Sequence, residues 1–113
     1  MVTPSAGAAV TVRFPFSDLT SSKVRPALVL AHSDNGDWVL CQSTSNHYAD
    51  THAIPIVDED FAPGSLRRPS YARPGKLFTA NERLMVSLVG PLKADSFRIA
   101  ANAVVRFLQA NIP

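Results

Sequence analysis

Ala27-Leu28-Val29-Leu30-Ala31-His32-Ser33-Asp34-Asn35-Gly36-Asp37-Trp38-Val39-Leu40-Cys41-Gln42-Ser43-Thr44 is the stretch on which the fold turns. Ala27 to Ala31 is a continuous apolar run, short and rich in β formers, and reads as a central strand. Asp34, Asn35 and Gly36 supply a tight turn, and Trp38 to Thr44 reads as the antiparallel return, so the stretch predicts a hairpin. Upstream, Val10, Val12 and Phe14 alternate with Thr11 and Arg13, the period of a half-buried strand. Pro15 and the cluster Ser17, Asp18, Thr20, Ser21, Ser22 then predict a loop, from which Lys23 and Arg25 enter the hairpin.

Downstream, a polar loop from Ser45 to Thr51 leads to a short strand at Ala53 to Val57, where Pro55 argues for an edge or a bulge. Asp58 through Pro69 reads as loop, with Asp58, Glu59 and Asp60 a solvated acidic run. Ser70 to Leu77 reads as extended, limited by Pro74 and Gly75. Leu84 to Val89 alternates as another strand, ended by Gly90 and Pro91. From Asp95, the expected N-cap, the period changes. Phe97, Ala100, Ala101, Val104, Val105 and Leu108 follow the i, i+3, i+4 spacing of one amphipathic helix. Five or six short antiparallel strands and a closing helix predict a mainly β (α+β) small barrel with the helix packed across it.

The chain has 113 residues, 46% apolar and 18% charged, which suits one globular domain over residues 1–113. That size leaves no room for two lobes with a cleft between them, so a site must lie on a surface, a loop or an interface. A net charge of +2 favours an anionic partner only mildly. Arg13, Lys23 and Arg25 form an early basic group and Arg67, Arg68, Arg73 and Lys76 a middle one, which the fold could merge. The single cysteine, Cys41, makes no internal disulfide, reads as a buried thiol and fits a reducing cytoplasm. No signal core precedes the domain, and no apolar run approaches the roughly 18 residues of a membrane span.

The chemistry points to anion handling. Arg25 stands directly before Pro26, which biases it towards an extended backbone, and its guanidinium can donate two parallel hydrogen bonds to phosphate oxygens. A surface ion pair with Asp18 is the simpler use of the same side chain. Antiparallel pairing of the hairpin brings Thr44 to the same end of the sheet as Arg25. Ser43, Thr44, Ser45 and Asn46 would equally serve to cap a strand and make turn hydrogen bonds. His47, Asp50 and His52 are poorly spaced for a metal, and no metal or cofactor is expected. His47, after the Thr44 segment, is instead a candidate proton carrier. No Gly-rich phosphate loop or Gly-x-Ser-x-Gly elbow occurs, and Cys41 has no positive neighbour in sequence to activate it.

Phe14-Pro15-Phe16-Ser17-Asp18-Leu19, then Lys23-Val24-Arg25-Pro26-Ala27-Leu28-Val29-Leu30, then Cys41-Gln42-Ser43-Thr44-Ser45 resemble the MazF/PemK family of toxin endoribonucleases. Ile54-Pro55-Ile56, Asp58-Glu59-Asp60-Phe61, Arg68-Pro69-Ser70-Tyr71 and Lys76-Leu77-Phe78-Thr79 are similar to its PemK-like branch. The resemblance covers about Val10 to Leu108. It implies an SH3-like barrel of five to seven antiparallel strands with a C-terminal helix (CcdB/MazF-like), a homodimer, metal-independent cleavage of single-stranded RNA, and a cognate antitoxin that occludes the RNA groove. The family's catalytic arginine falls on Arg25 and its threonine on Thr44, with Ser43 and Ser45 as alternatives, and the resemblance would give Arg25, rather than His47, the proton-accepting role as well. On that footing Arg13, Ser17, Ser21, Ser22, Lys23, Asn46, Arg67, Arg68 and Lys76 are candidate RNA contacts, and Phe16, Tyr48 and Tyr71 candidate stacking surfaces. Two positions depart from the family pattern: Gly7 is followed by Ala8 rather than aspartate, and Gly75 stands before Lys76 where many members carry aspartate. Two other readings of the same chain are a CcdB-like toxin against a protein target such as DNA gyrase, and a non-catalytic RNA-binding or regulatory module.

Overall fold

The computed structural model describes residues 2–14, 23–46, 50–65 and 68–113. Among the described residues six antiparallel strands form one sheet: β1 (Ala8–Phe14), β2 (Lys23–His32), β3 (Asp37–Thr44), β4 (Ile54–Ile56), β5 (Ser70–Asn81) and β6 (Met85–Pro91), in spatial order β4-β5-β3-β2-β1-β6. One helix, α1 (Ala94–Gln109), closes the chain. The predicted hairpin is β2 and β3, registered as Ala27 with Gln42, Leu28 with Cys41 and Val29 with Leu40. Its turn has left-handed backbone at Asn35 (φ 53°) and Gly36 (φ 81°), the two residue types that tolerate it best.

Alternation decides the two faces. Val10, Val12, Ala27, Val29, Leu40, Ala80 and Met85 pack together on one face. Leu28, Cys41, Ile56, Phe61, Ala72, Val89, Leu92 and Ala100 pack on the other, beneath α1. Register shifts in β1 against β6, β2 against β3 and β3 against β5 add local twist, as bulges do. The sheet curls far enough that Phe14 of β1 meets Phe78 of β5, ring centroids 4.6 Å apart, although β2 and β3 lie between them. This is the expected small curled β architecture, and Pro55 sits, as predicted, on an edge strand.

Four expectations are corrected. The extended segment from Ser70 does not stop at Leu77 but runs to Asn81. Arg73, Pro74, Gly75 and Lys76 form an excursion between the pairs Cys41 with Leu77 and Ser43 with Ala72, so the strand absorbs its breakers and resumes. The helix begins at Ala94, with Lys93 at the cap position and no side-chain capping bond; Asp95 lies in the first turn and pairs with Arg98 at 2.8 Å. Of the predicted apolar helix face, Ala100 and Val104 are buried, whereas Val105 and Leu108 are about half exposed. Asp60 is not simply a solvated acid: in a short 3-10 turn its carboxylate accepts from the Val57 N–H (2.7 Å) and the Ser96 hydroxyl (2.9 Å), tying the turn to the start of α1.

Candidate functional site

The two hairpin strands part company at one end, and the site lies where they do. The β2–β3 pairing reaches Ala27 with Gln42 and goes no further, but β2 continues along β1 to Lys23, and β3 continues along β5 to Thr44. Pro26, the next residue on β2, has no N–H to give to a neighbour. Extending the register by two residues sets Arg25 opposite Thr44, with the parted strands between them. A cleft of about 340 Å³ opens there, lined by Thr11, Val24, Arg25, Pro26, Ser43, Thr44, Ser45, Arg68, Pro69 and Ser70.

Arg25 is exposed on its strand, and Thr44 is half buried. The Thr44 hydroxyl accepts from the Asn46 N–H at 3.1 Å, which is the turn-forming role the sequence also allows. Acceptance uses a lone pair and leaves the hydroxyl proton to donate. Ser43 is buried, and Ser45 and Arg68 are exposed. Arg68, from the middle basic group, meets Arg25 of the early one: two guanidiniums and several hydroxyls share one open cleft, a donor set suited to phosphate oxygens.

Other candidates fall outside it. Arg13 is exposed on β1 opposite Val24, and Lys23 is exposed at the start of β2 opposite Phe14, so both flank the cleft. Asn46 is exposed just beyond Thr44, and Tyr71 pairs with Thr44 from β5, half buried. Lys76 is exposed on the β5 excursion, away from the cleft lining. Phe16, Ser17, Ser21, Ser22, His47, Tyr48 and Arg67 lie outside the described residues, as does Asp18, the alternative partner for Arg25. Arg73 leaves the basic group altogether. Its Nε donates to Asp50 at 2.9 Å, and that hydrogen bond holds the Asp50 carboxyl below the usual carboxylate range. Asp50 also accepts from the His52 N–H at 2.9 Å, so it is a local organiser rather than a metal ligand set with His52. Among the described residues no cluster of three or more His, Cys, Asp or Glu is placed to hold a metal ion.

Cys41 is buried, and its Sγ–H donates to the Arg73 carbonyl at 2.9 Å. Burial pushes the thiol up to about 11, so it is protonated at neutral pH and is no nucleophile. The two departures from the family pattern have packing reasons. Ala8 is buried in the core, where an aspartate would be a charge without a partner. A Cβ on Gly75 would meet Phe107 Cζ at 3.0 Å, a tight contact that the ring of α1 would have to yield to by a few tenths of an ångström.

Sequence reasoning did not single out Thr11 or Ser70. Thr11 is buried on the helix side, its hydroxyl 2.6 Å from that of Ser87. The signal was a hydroxyl residue inside an otherwise apolar alternation. Ser70 was visible only as part of Arg68-Pro69-Ser70-Tyr71.

A curled six-stranded sheet backed by a C-terminal helix is the architecture of MazF toxins, and this chain has that fold. No protein-family model matches the sequence, and no curated protein matches it. Among solved structures, it is similar to a chain of the MazE-MazF complex from Deinococcus radiodurans (TM-score 0.72, 17% identity, 94% of this chain and 96% of that one). It is also similar to an endoribonuclease solved in complex with its cognate antitoxin from a mycobacterial species (TM-score 0.70, 13% identity, 100% of both chains). The Mycobacterium tuberculosis toxin MazF-mt6 aligns with a TM-score of 0.66 at 16% identity, over 90% of this chain and 96% of that one.

Proposed function

We propose that the protein is the toxin of a toxin-antitoxin pair and an endoribonuclease that cuts single-stranded RNA without a metal. The observation that carries this reading is the cleft between parted strands, which gathers Arg25, Thr44, Ser43, Ser45 and Arg68 at one sheet end. The likeness of fold to toxins solved with their antitoxins supports the biological setting.

In the proposed reaction the ribose 2′-oxygen attacks the adjacent phosphorus, a new O–P bond forms, and the bond to the 5′-oxygen breaks. The products are a 2′,3′-cyclic phosphate and a 5′-hydroxyl end. Arg25 binds the non-bridging oxygens as their charge grows, and the Thr44 hydroxyl donates a hydrogen bond to one of them; a preorganised donor of this kind supplies about 3 to 4 kcal/mol. His47 takes the proton of the 2′-hydroxyl, and the leaving 5′-oxygen takes up a proton from water. Lys23, Arg13 and Arg68 hold neighbouring phosphates. The working unit is a homodimer, and the cognate antitoxin acts by covering the cleft.

Incubating the pure protein with single-stranded RNA in EDTA tests the reading. Cleavage that disappears in Arg25→Ala supports it, and intact RNA under every condition overturns it. A 2′-deoxynucleotide at the cut site must block cleavage, because it removes the nucleophile.

A further inference from the structure

A second and larger cleft, about 510 Å³, lies between the C-terminal end of α1 and the β4–β5 edge. Thr51, His52, Pro74, Arg106, Phe107 and Asn111 line it. We propose that it holds a further nucleotide of the same single strand that enters the Arg25 cleft, an inference that rests on the ribonuclease reading above.

Its size falls within the range of small-ligand pockets. Its chemistry divides as a nucleotide does. Arg106 is exposed and has no ion pair among the described residues, which leaves its guanidinium for a phosphate. The exposed imidazole of His52 stands against Phe107, centroids 5.2 Å apart at 78°, making an aromatic wall for a base. Asn111 Nδ2 donates to the Phe107 carbonyl at 2.9 Å, which leaves the amide oxygen and a second N–H for a base edge. That same bond satisfies one carbonyl of the helix end, and Arg106 offsets the negative pole there. Among the described residues no carboxylate lines the cleft, and Asp50, next to Thr51 in sequence, is paired with Arg73.

Position connects the two clefts. Thr11, Pro26 and Ser43 of the first share the helix-side parity of Ala72 and Ile54, and Ile54 lines the second. Ser70 lines one cleft and Pro74 the other. Four residues of strand span at most about 13 Å. At about 3.4 Å per nucleotide in a stacked strand, that separation takes at most about four nucleotides, and fewer when the strand is extended.

Arg106→Gln and Asn111→Ala, made in the full chain and checked for an unchanged melting temperature, test the inference. On a long RNA substrate each should raise KM about fivefold, the worth of one exposed contact, with kcat unchanged. On the same RNA trimmed to the few nucleotides around the cut, neither should have any effect. An equal change at both lengths, or none at either, overturns the proposal.

A binding arm keeps this result separate from the enzyme reading. In the Arg25→Ala background, with a dye-labelled random-sequence RNA of about 16 nucleotides, Arg106→Gln should lower the slope of log K against log salt by about 0.7. If wild type cuts no RNA, a lowered slope keeps the second cleft while the enzyme reading falls, and an unchanged slope removes the cleft. Weaker binding of a polyglutamate peptide with RNA binding unaltered would assign the cleft to an acidic protein partner and overturn the proposal.

Discussion

A guanidinium at a strand end is useful only if its backbone is held, and Arg25 is held twice. Pro26 restricts it from one side, and pairing with Val12 of β1 restricts it from the other. Arg25→Ala should lower the single-turnover cleavage rate by about 10² to 10³, the range for losing one preorganised donor, with no change in thermal midpoint. Arg25→Lys should recover little, because an ammonium cannot make two parallel bonds to a phosphate. Thr44→Ser should keep most of the activity. Thr44→Val should lose activity and about 1 kcal/mol of stability, since the Asn46 N–H then loses its acceptor. For His47 the prediction is a pH profile. A general base works in its neutral form, so kcat/KM should rise as the pH is raised from acid, and His47→Gln should abolish that rise. At this scale the sequence was informative: Arg25 and Thr44 were legible as partners because hairpin register follows from turn position. Thr11 and Ser70 were not, because parity alone does not say which hydroxyls border a cleft.

At the scale of elements, the parting of β2 from β3 makes the cleft, and the β5 excursion shapes the other side of the molecule. The excursion is tied down by Arg73, which gives its side chain to Asp50 and its carbonyl to Cys41. Arg73→Met should cost about 2 kcal/mol in denaturant unfolding at pH 7, as loss of a hydrogen bond to a charged group does. The Asp50 carboxyl is depressed in the folded protein, so its contribution is present above the ordinary carboxylate pKa and is lost as pH falls through the lowered value. Wild type and Arg73→Met should therefore converge in stability as the pH drops below that range. The elements themselves were mostly legible from alternation and turn residues. The continuation of β5 past Leu77 was not, because Pro74 and Gly75 argue for a short strand, whereas Phe78 and Ala80 have core positions that reward continuing it.

For the whole molecule, two apolar layers on opposite faces of one curled sheet must hold together, and Cys41 reports on them. It is buried in the layer beneath α1, so a thiol reagent at pH 8 should label it only as fast as the protein opens, and denaturant should accelerate labelling in step with unfolding. Its thiol titrates near 11 in the folded chain and near 9 otherwise, so the unfolded state loses its proton first. Stability should be unaffected by this group below about pH 9 and should fall between about pH 9 and 11. Cys41→Ala should flatten that fall. Strand identity, the hairpin and its turn and the C-terminal helix were all determined by the sequence alone, because period and turn chemistry are local. Which basic residues share a cleft, what a side chain at Gly75 would meet, and where the sheet parts were decided only by the tertiary structure. Those depend on curvature and on contacts between residues far apart in the chain, which no local pattern records.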